Sequence, residues 1–158
     1  MLRKSNGVTL ITLVITIIVI LILTSIFVAT GMNALKEARK SEIQAEIGSL
    51  QEAISIRFTS YLKNGESVDL VGISPTSIEK LSDASKCINA IKNSVGINSD
   101  KEAKITREIE SHFDEYVKIV TPYEASILGV EPIKEDSIYI VDYYTSAVYG
   151  PILTDYLE

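Results

Sequence analysis

Two hydrophobic patterns follow one another along the first 63 residues. Residues 5–35 contain no charged side chain, and the apolar core of that stretch is residues 8–29: Val8, Leu10, Ile11, Leu13, Val14 and Ile15 are followed by an unbroken run from Ile17 to Leu23. A helix over residues 8–29 would be about 33 Å long, close to the roughly 30 Å of a bilayer core. The pattern then changes. Ile43, Ile47, Leu50, Ile54, Phe58 and Leu62 recur at steps of three and four, which is the stripe of an amphipathic helix. Glu42, Glu46, Glu52 and Arg57 are assigned to its other faces. No proline falls in residues 8–63, and the first strong stop is Asn64-Gly65, a helix-end or turn signal. One helix over residues 8–63, about 84 Å long, is therefore expected. Six apolar positions over residues 43–62 are too few for a sustained heptad. The stripe is expected to pack on the chain's own domain.

Beyond Gly65 the pattern breaks into short elements. Residues 66–71 read as a short strand. Ser74-Pro75 is a helix start, with a capping serine and proline at the first position. Helical stretches are expected over residues 75–81 and 83–95, the second ended by Gly96. Asn98-Ser99-Asp100 caps a helix over residues 101–113, with Ile105, Ile109 and Phe113 spaced by four. Residues 116–120 favour a strand. Thr121-Pro122-Tyr123-Glu124 has capping-box spacing and predicts a short helix to residue 128, ended by Gly129. Residues 138–142 and 147–149 read as a hairpin ahead of Gly150-Pro151. The fold class expected is α+β: a long N-terminal helix packed on a small antiparallel sheet of about three strands, with short helices. The organisation is a leader at residues 1–7, an apolar helix at 8–29, its amphipathic continuation at 30–63 and a globular domain at 64–158.

Charge and composition remove several function classes. The 158 residues carry a net charge of −6, and from Val8 onward 13 basic side chains face 21 acidic ones. A general nucleic-acid binder would need a basic stripe, so direct nucleic-acid binding is not expected. The single cysteine, Cys87, has no intrachain disulfide partner and sits in apolar periodicity beside Ile88 and Ile91. It reads as a buried thiol. The glycines are scattered and form no phosphate loop. Glu108, His112 and Glu115 have helical spacing that can hold a metal, but an acidic helix produces such spacing by chance. Glu135 and Asp136 read as solvated loop carboxylates, with a weak calcium site as the sharper alternative. Five of the eight tyrosines lie within residues 139–156 and are assigned to cross-strand packing. No catalytic residue, metal or cofactor is expected.

The apolar core exceeds the roughly 7–15 residues of a secretory signal, which favours an anchor over a cleaved signal ending near Gly31. Arg3, Lys4 and the α-amine on one side nearly balance Lys36, Arg39 and Lys40 on the other, so the positive-inside rule leaves orientation open.

The leader Arg3-Lys4-Ser5-Asn6-Gly7, followed at once by Val8-Thr9-Leu10-Ile11-Thr12-Leu13, resembles the cleavage and methylation segment of type IV prepilins and of the pseudopilins of type II secretion and competence systems. The resemblance covers residues 3–30. It implies that a prepilin peptidase cuts between Gly7 and Val8 on the cytoplasmic face and N-methylates Val8. It further implies a cytoplasmic N-terminus, an extracytoplasmic domain, and later incorporation into an extracellular filament. The partners would be membrane lipid, the membrane platform of the assembly machine and sister subunits. Two positions depart from the family pattern. Val8 stands where phenylalanine is usual, and Thr12 where a glutamate usually pairs with a neighbour's terminal amine. Glutamate-lacking variants occur in Gram-positive members.

Thr9, Thr12, Thr16 and Thr24 share one helical face. Hydroxyl residues of this size allow close helix approach in lipid, so this face is either a subunit-packing seam or a set of threonines bonded to their own backbone. The reading that follows is a structural subunit of a type IV pilus-like or pseudopilus filament. The alternative is a single-pass membrane protein with a partner-binding domain and no filament.

Overall fold

The computed structural model describes residues 5–131 and 135–157, with side chains apart from those of residues 5–9, 29 and 66. The chain divides into two compact units, Met1–Glu42 and Ile43–Glu158. Helix α1, Ser5–Asn64, runs from the first into the second. The absence of proline allows this continuity, and Gly65, at φ 62°, ends it.

In the first unit, every apolar side chain described from Leu10 to Leu35 is exposed. This stretch makes α1 long and apolar enough to cross a membrane once.

The second unit is built in three layers around an antiparallel sheet of order β1-β2-β3, comprising β1 (Val117–Val120), β2 (Ser137–Asp142) and β3 (Ala147–Leu153). Alternation along the strands supplies both faces. Val117, Ile119, Ile138, Ile140 and Ile152 join a core with Cys87, Ile88, Ile91, Ile109 and Phe113 from α2 (Ala84–Val95) and the region of α3 (Ser99–His112). Val120, Tyr139, Val141 and Val148 turn the other way. They meet Leu50 and Ile54 of α1, together with Tyr143 and Ala125. A sheet covered on both faces explains why Ile138, Tyr139, Ile140 and Val141 form a continuous buried run rather than an alternating one. The class is α+β.

Gly96, the Asn98 cap and the Thr121–Glu124 box act where they are expected, while Asp83, expected as the first residue of its helix, is instead its cap. The Asp83 side chain accepts Lys86 N–H at 2.9 Å and the Asn98 side chain accepts Lys101 N–H at 3.1 Å, capping α2 and α3. Gly96, at φ 66°, closes α2. The capping box starts α4 (Pro122–Ile127), with Thr121 N–H donating to the Glu124 carboxylate at 3.0 Å.

Four expectations need correction. Residues 66–71 form no strand. A 3-10 turn occupies Gly65–Ser67, and the backbone beyond it is held by side chains: Arg57 Nε donates to Asp69 O at 2.8 Å and the Tyr143 hydroxyl to Val71 O at 2.7 Å. Strand-like pairing is confined to a single bridge from Ile73 to Ile119. Second, Ser74-Pro75 starts two 3-10 turns, Pro75–Ser77 and Glu79–Leu81, rather than one helix. Third, β3 continues through Gly150-Pro151 to Leu153. It is an edge strand with a register shift opposite residues 138–140, the setting in which a proline without a donor is tolerated. Gly150 lies against the Tyr139 ring, where a Cβ would come within 2.7 Å of Cδ1. Finally, Glu46 is buried rather than on a solvated face, and Leu62, at the end of the stripe, is exposed.

Candidate functional site

The uncharged part of α1 is the surface that most demands a partner. Hydroxyl groups there bond back to helix carbonyls. Thr16 Oγ1 donates to Thr12 O at 2.5 Å, Thr24 Oγ1 to Ile20 O at 2.7 Å, Ser25 Oγ to Ile22 O at 2.9 Å and Thr30 Oγ1 to Ile26 O at 2.9 Å. Each hydroxyl proton is thereby satisfied without water, which makes the segment compatible with hydrocarbon. Thr30 repeats the angular position of Thr12, since their separation of 18 positions makes about five turns. It lies on the face that Thr12, Thr16 and Thr24 share, and Thr16 and Thr24 are bonded to their own backbone, the second of the two readings of that face. The side chain of Thr9 lies outside the described set.

Gly7 and Val8 both fall within α1, so the expected scissile bond belongs to helical backbone. Arg3 and Lys4 lie outside the described residues. At the other end, Lys36, Arg39 and Lys40 are exposed.

In the domain, polar groups are organised as internal ties. The Tyr139 hydroxyl donates to Glu46 Oε2 at 2.5 Å, linking α1 to β2. The signal was present in the sequence, because Glu46 follows Ile43 by three and precedes Leu50 by four, which places it on the buried stripe. Asp142 is fully buried. Its carboxylate accepts Tyr144 N–H and the Thr145 hydroxyl, both at 2.9 Å, and lies 3.1 Å from His112 Nδ1. His112 therefore ties the end of α3 to the hairpin, and its ring lies tilted by 31° against Tyr144 at 4.3 Å between centroids. Glu108 accepts from the Tyr149 hydroxyl at 3.3 Å and lies 3.8 Å from Lys104. His112 and Glu108, two of the three residues with metal-ligand spacing, are thus directed to separate partners. Among the described residues, no group of three or more His, Cys, Asp or Glu side chains is placed to hold a metal ion. Glu135 and Asp136 are exposed in a turn before β2.

The tyrosines connect layers more than they pair across strands. Burial pushes the pKa of Tyr139, Tyr143 and Tyr149 above the ordinary phenol value and so disfavours their ionisation, and the hydrogen bond to Glu46 raises Tyr139 further. Tyr116 is raised first by a hydrogen bond to Glu115. Cys87 is fully buried, its Sγ is 3.3 Å from Leu81 O, and burial pushes the thiol up to about 12. A thiol held in that form is a poor nucleophile. The chain matches no protein-family model, no curated protein and no solved structure.

Proposed function

We propose that this chain is a structural subunit of a type IV pilus-like or pseudopilus filament, cut after Gly7 and assembled through α1. The observation that carries the reading is one unbroken helix, Ser5–Asn64. Its first part is uncharged and exposed on every side, and its later part is packed on an antiparallel sheet. An all-round apolar helix needs a non-aqueous surrounding. Lipid supplies it before assembly, and the helices of sister subunits supply it afterwards. The leader at residues 3–7 adds a processing signal, and the back-bonded hydroxyls of Thr16 and Thr24 let close helix packing proceed without stranding a donor. With Thr12 in place of the family glutamate, register between subunits rests on packing along the threonine face.

The test is Gly7→Leu, expressed beside the wild type in cells carrying a prepilin peptidase and its assembly machine. The wild type is expected to be shortened and recovered in sheared filaments. The variant is expected to stay full length in the membrane fraction. Equal mass and equal membrane retention for the two chains would favour an ordinary single-pass protein with a partner-binding domain.

A further inference from the structure

We propose that Lys36, Arg39 and Lys40 form a cationic collar that binds anionic lipid headgroups where α1 leaves the apolar layer. This rests on α1 lying in a membrane and is independent of the filament reading.

The first observation is position. From the end of the apolar core at residue 29 to Lys36 the helix rises about 10 Å, and Arg39 and Lys40 lie about 5 Å further on. The polar layer of a bilayer occupies roughly 5–8 Å on each side. Cα–Cβ bonds of a helix tilt toward its N-terminus, so all three long side chains lean back toward that layer. Their ammonium and guanidinium groups can reach headgroup phosphates while the stems cover apolar surface.

The second observation is spacing. Lys36 and Lys40 are four apart, and Lys36 and Arg39 three apart, so like charges are neighbours on one face. That arrangement destabilises an isolated helix and is relieved by an external anion. All three side chains are exposed, and among the described residues none enters an ion pair. Glu37 stands three positions before Lys40 and Glu42 three after Arg39, so two carboxylates flank the three cations; among the described residues neither forms an ion pair with them, and residues 36–42 keep a net charge of +1.

The third observation is contrast. The unit Ile43–Glu158 carries 10 basic and 19 acidic side chains, and an anionic surface repels it as a whole. Attraction on this side of the helix therefore falls to the collar. A neighbouring copy's acidic domain is the competing counterion, but the collar's continuity with the uncharged run and its backward lean favour lipid.

The full chain, reconstituted in phosphatidylcholine vesicles, is examined by spin-label EPR with trace labelled phosphatidylglycerol or labelled phosphatidylcholine. Arg3→Gln and Lys4→Gln are present in every sample, so only the collar differs. A single cation near an anionic surface gives a roughly fivefold preference, which is about 1 kcal/mol, and Glu37 and Glu42 offset most of what the other two cations would add. The expected result is severalfold stronger association of phosphatidylglycerol. That preference should fall toward unity in 1 M salt, where the screening length is about 3 Å, and in Lys36→Gln/Arg39→Gln/Lys40→Gln. It should persist in Lys36→Arg/Arg39→Lys/Lys40→Arg, which keeps the charges. Equal association of the two lipids with the parent chain overturns the proposal, as does a preference that survives the triple glutamine change. So does a triple change that leaves lipid preference intact while abolishing crosslinking between copies, which would assign the collar to a second subunit.

Discussion

Residues 10–35 and 43–62 belong to the same helix and are both rich in isoleucine and leucine, yet they meet opposite fates. Leu50 and Ile54 are fully or almost fully buried on the sheet, whereas Ile17, Ile18 and Leu21 are about as exposed as Leu62 or more moderately so, with no protein surface against them. The difference lies in distribution. A stripe leaves polar faces for water and can be covered by a single sheet. A cylinder of apolar side chains cannot be covered from one side, and it requires a surrounding of hydrocarbon or of several helices. Hydrophobic content alone does not separate the two regions; angular spread does.

The largest effect is expected at the centre of the stripe. Ile54→Ala removes a fully buried side chain between α1 and the sheet and should lower domain stability by about 2–5 kcal/mol. Urea unfolding in mild detergent measures this, and membrane integration should be unchanged. The converse variant is Ile18→Lys. A lysine near the middle of a membrane span costs about 2.5–3.5 kcal/mol on insertion. Resistance to alkaline carbonate extraction should fall sharply while the urea midpoint of the domain stays put. If either substitution moved both readouts equally, the division of α1 into two environments would be wrong.

A smaller effect comes from pH. The Cys87 thiol ionises near 9.0 when unfolded and near 12 when folded, because burial disfavours the thiolate. A raised acid contributes stability that is fully present below the unfolded value and is lost as pH climbs through the folded one. Domain stability should therefore hold to about pH 9 and then decline, with Cys87 contributing at most about 1.4 kcal/mol per pH unit. Buried Tyr139 and Tyr143 add to the decline above 10.0, the value from which both are raised. Urea titrations from pH 7 to 11.5 would show this, and Cys87→Ala should remove the earliest part of the fall. The smallest effect is assigned to Leu62→Ser. This position continues the stripe in sequence but is exposed, so unfolding should shift by less than about 0.5 kcal/mol. A loss comparable to that of Ile54→Ala would show that the stripe's end is covered after all.

Much of the fold was legible in the sequence because the relevant signals are local. The proline-free run, the Asn64-Gly65 stop, the cap at Asn98 and the box at Thr121-Glu124 each act within a few residues of where they stand. What was not legible depends on contacts distant in sequence. Residues 68–71 have strand-like composition, but Arg57 and Tyr143 occupy two of their carbonyls. β3 passes Gly150 and pairs on with β2, with the Tyr139 ring of that neighbouring strand against the glycine. Chemical type assigns Glu46 to a face other than the stripe, although its spacing puts it on the stripe; its partner, Tyr139, is 93 positions away. The His112–Asp142 tie likewise joins residues 30 apart. Of the candidate site, the apolar face and its threonines were readable from spacing alone. Spacing alone leaves backbone bonding as one of two readings of that face, and the helix geometry shows it for Thr16 and Thr24.

The central claim is that the apolar part of α1 is freed of its basic leader and then exchanges lipid for neighbouring subunits. Intact-mass and N-terminal peptide spectrometry of the protein purified from cells with an active prepilin peptidase tests it most directly. The predicted result is a chain beginning at N-methylated Val8. A chain retaining Met1 through Gly7, or one cut near Gly31, would contradict it.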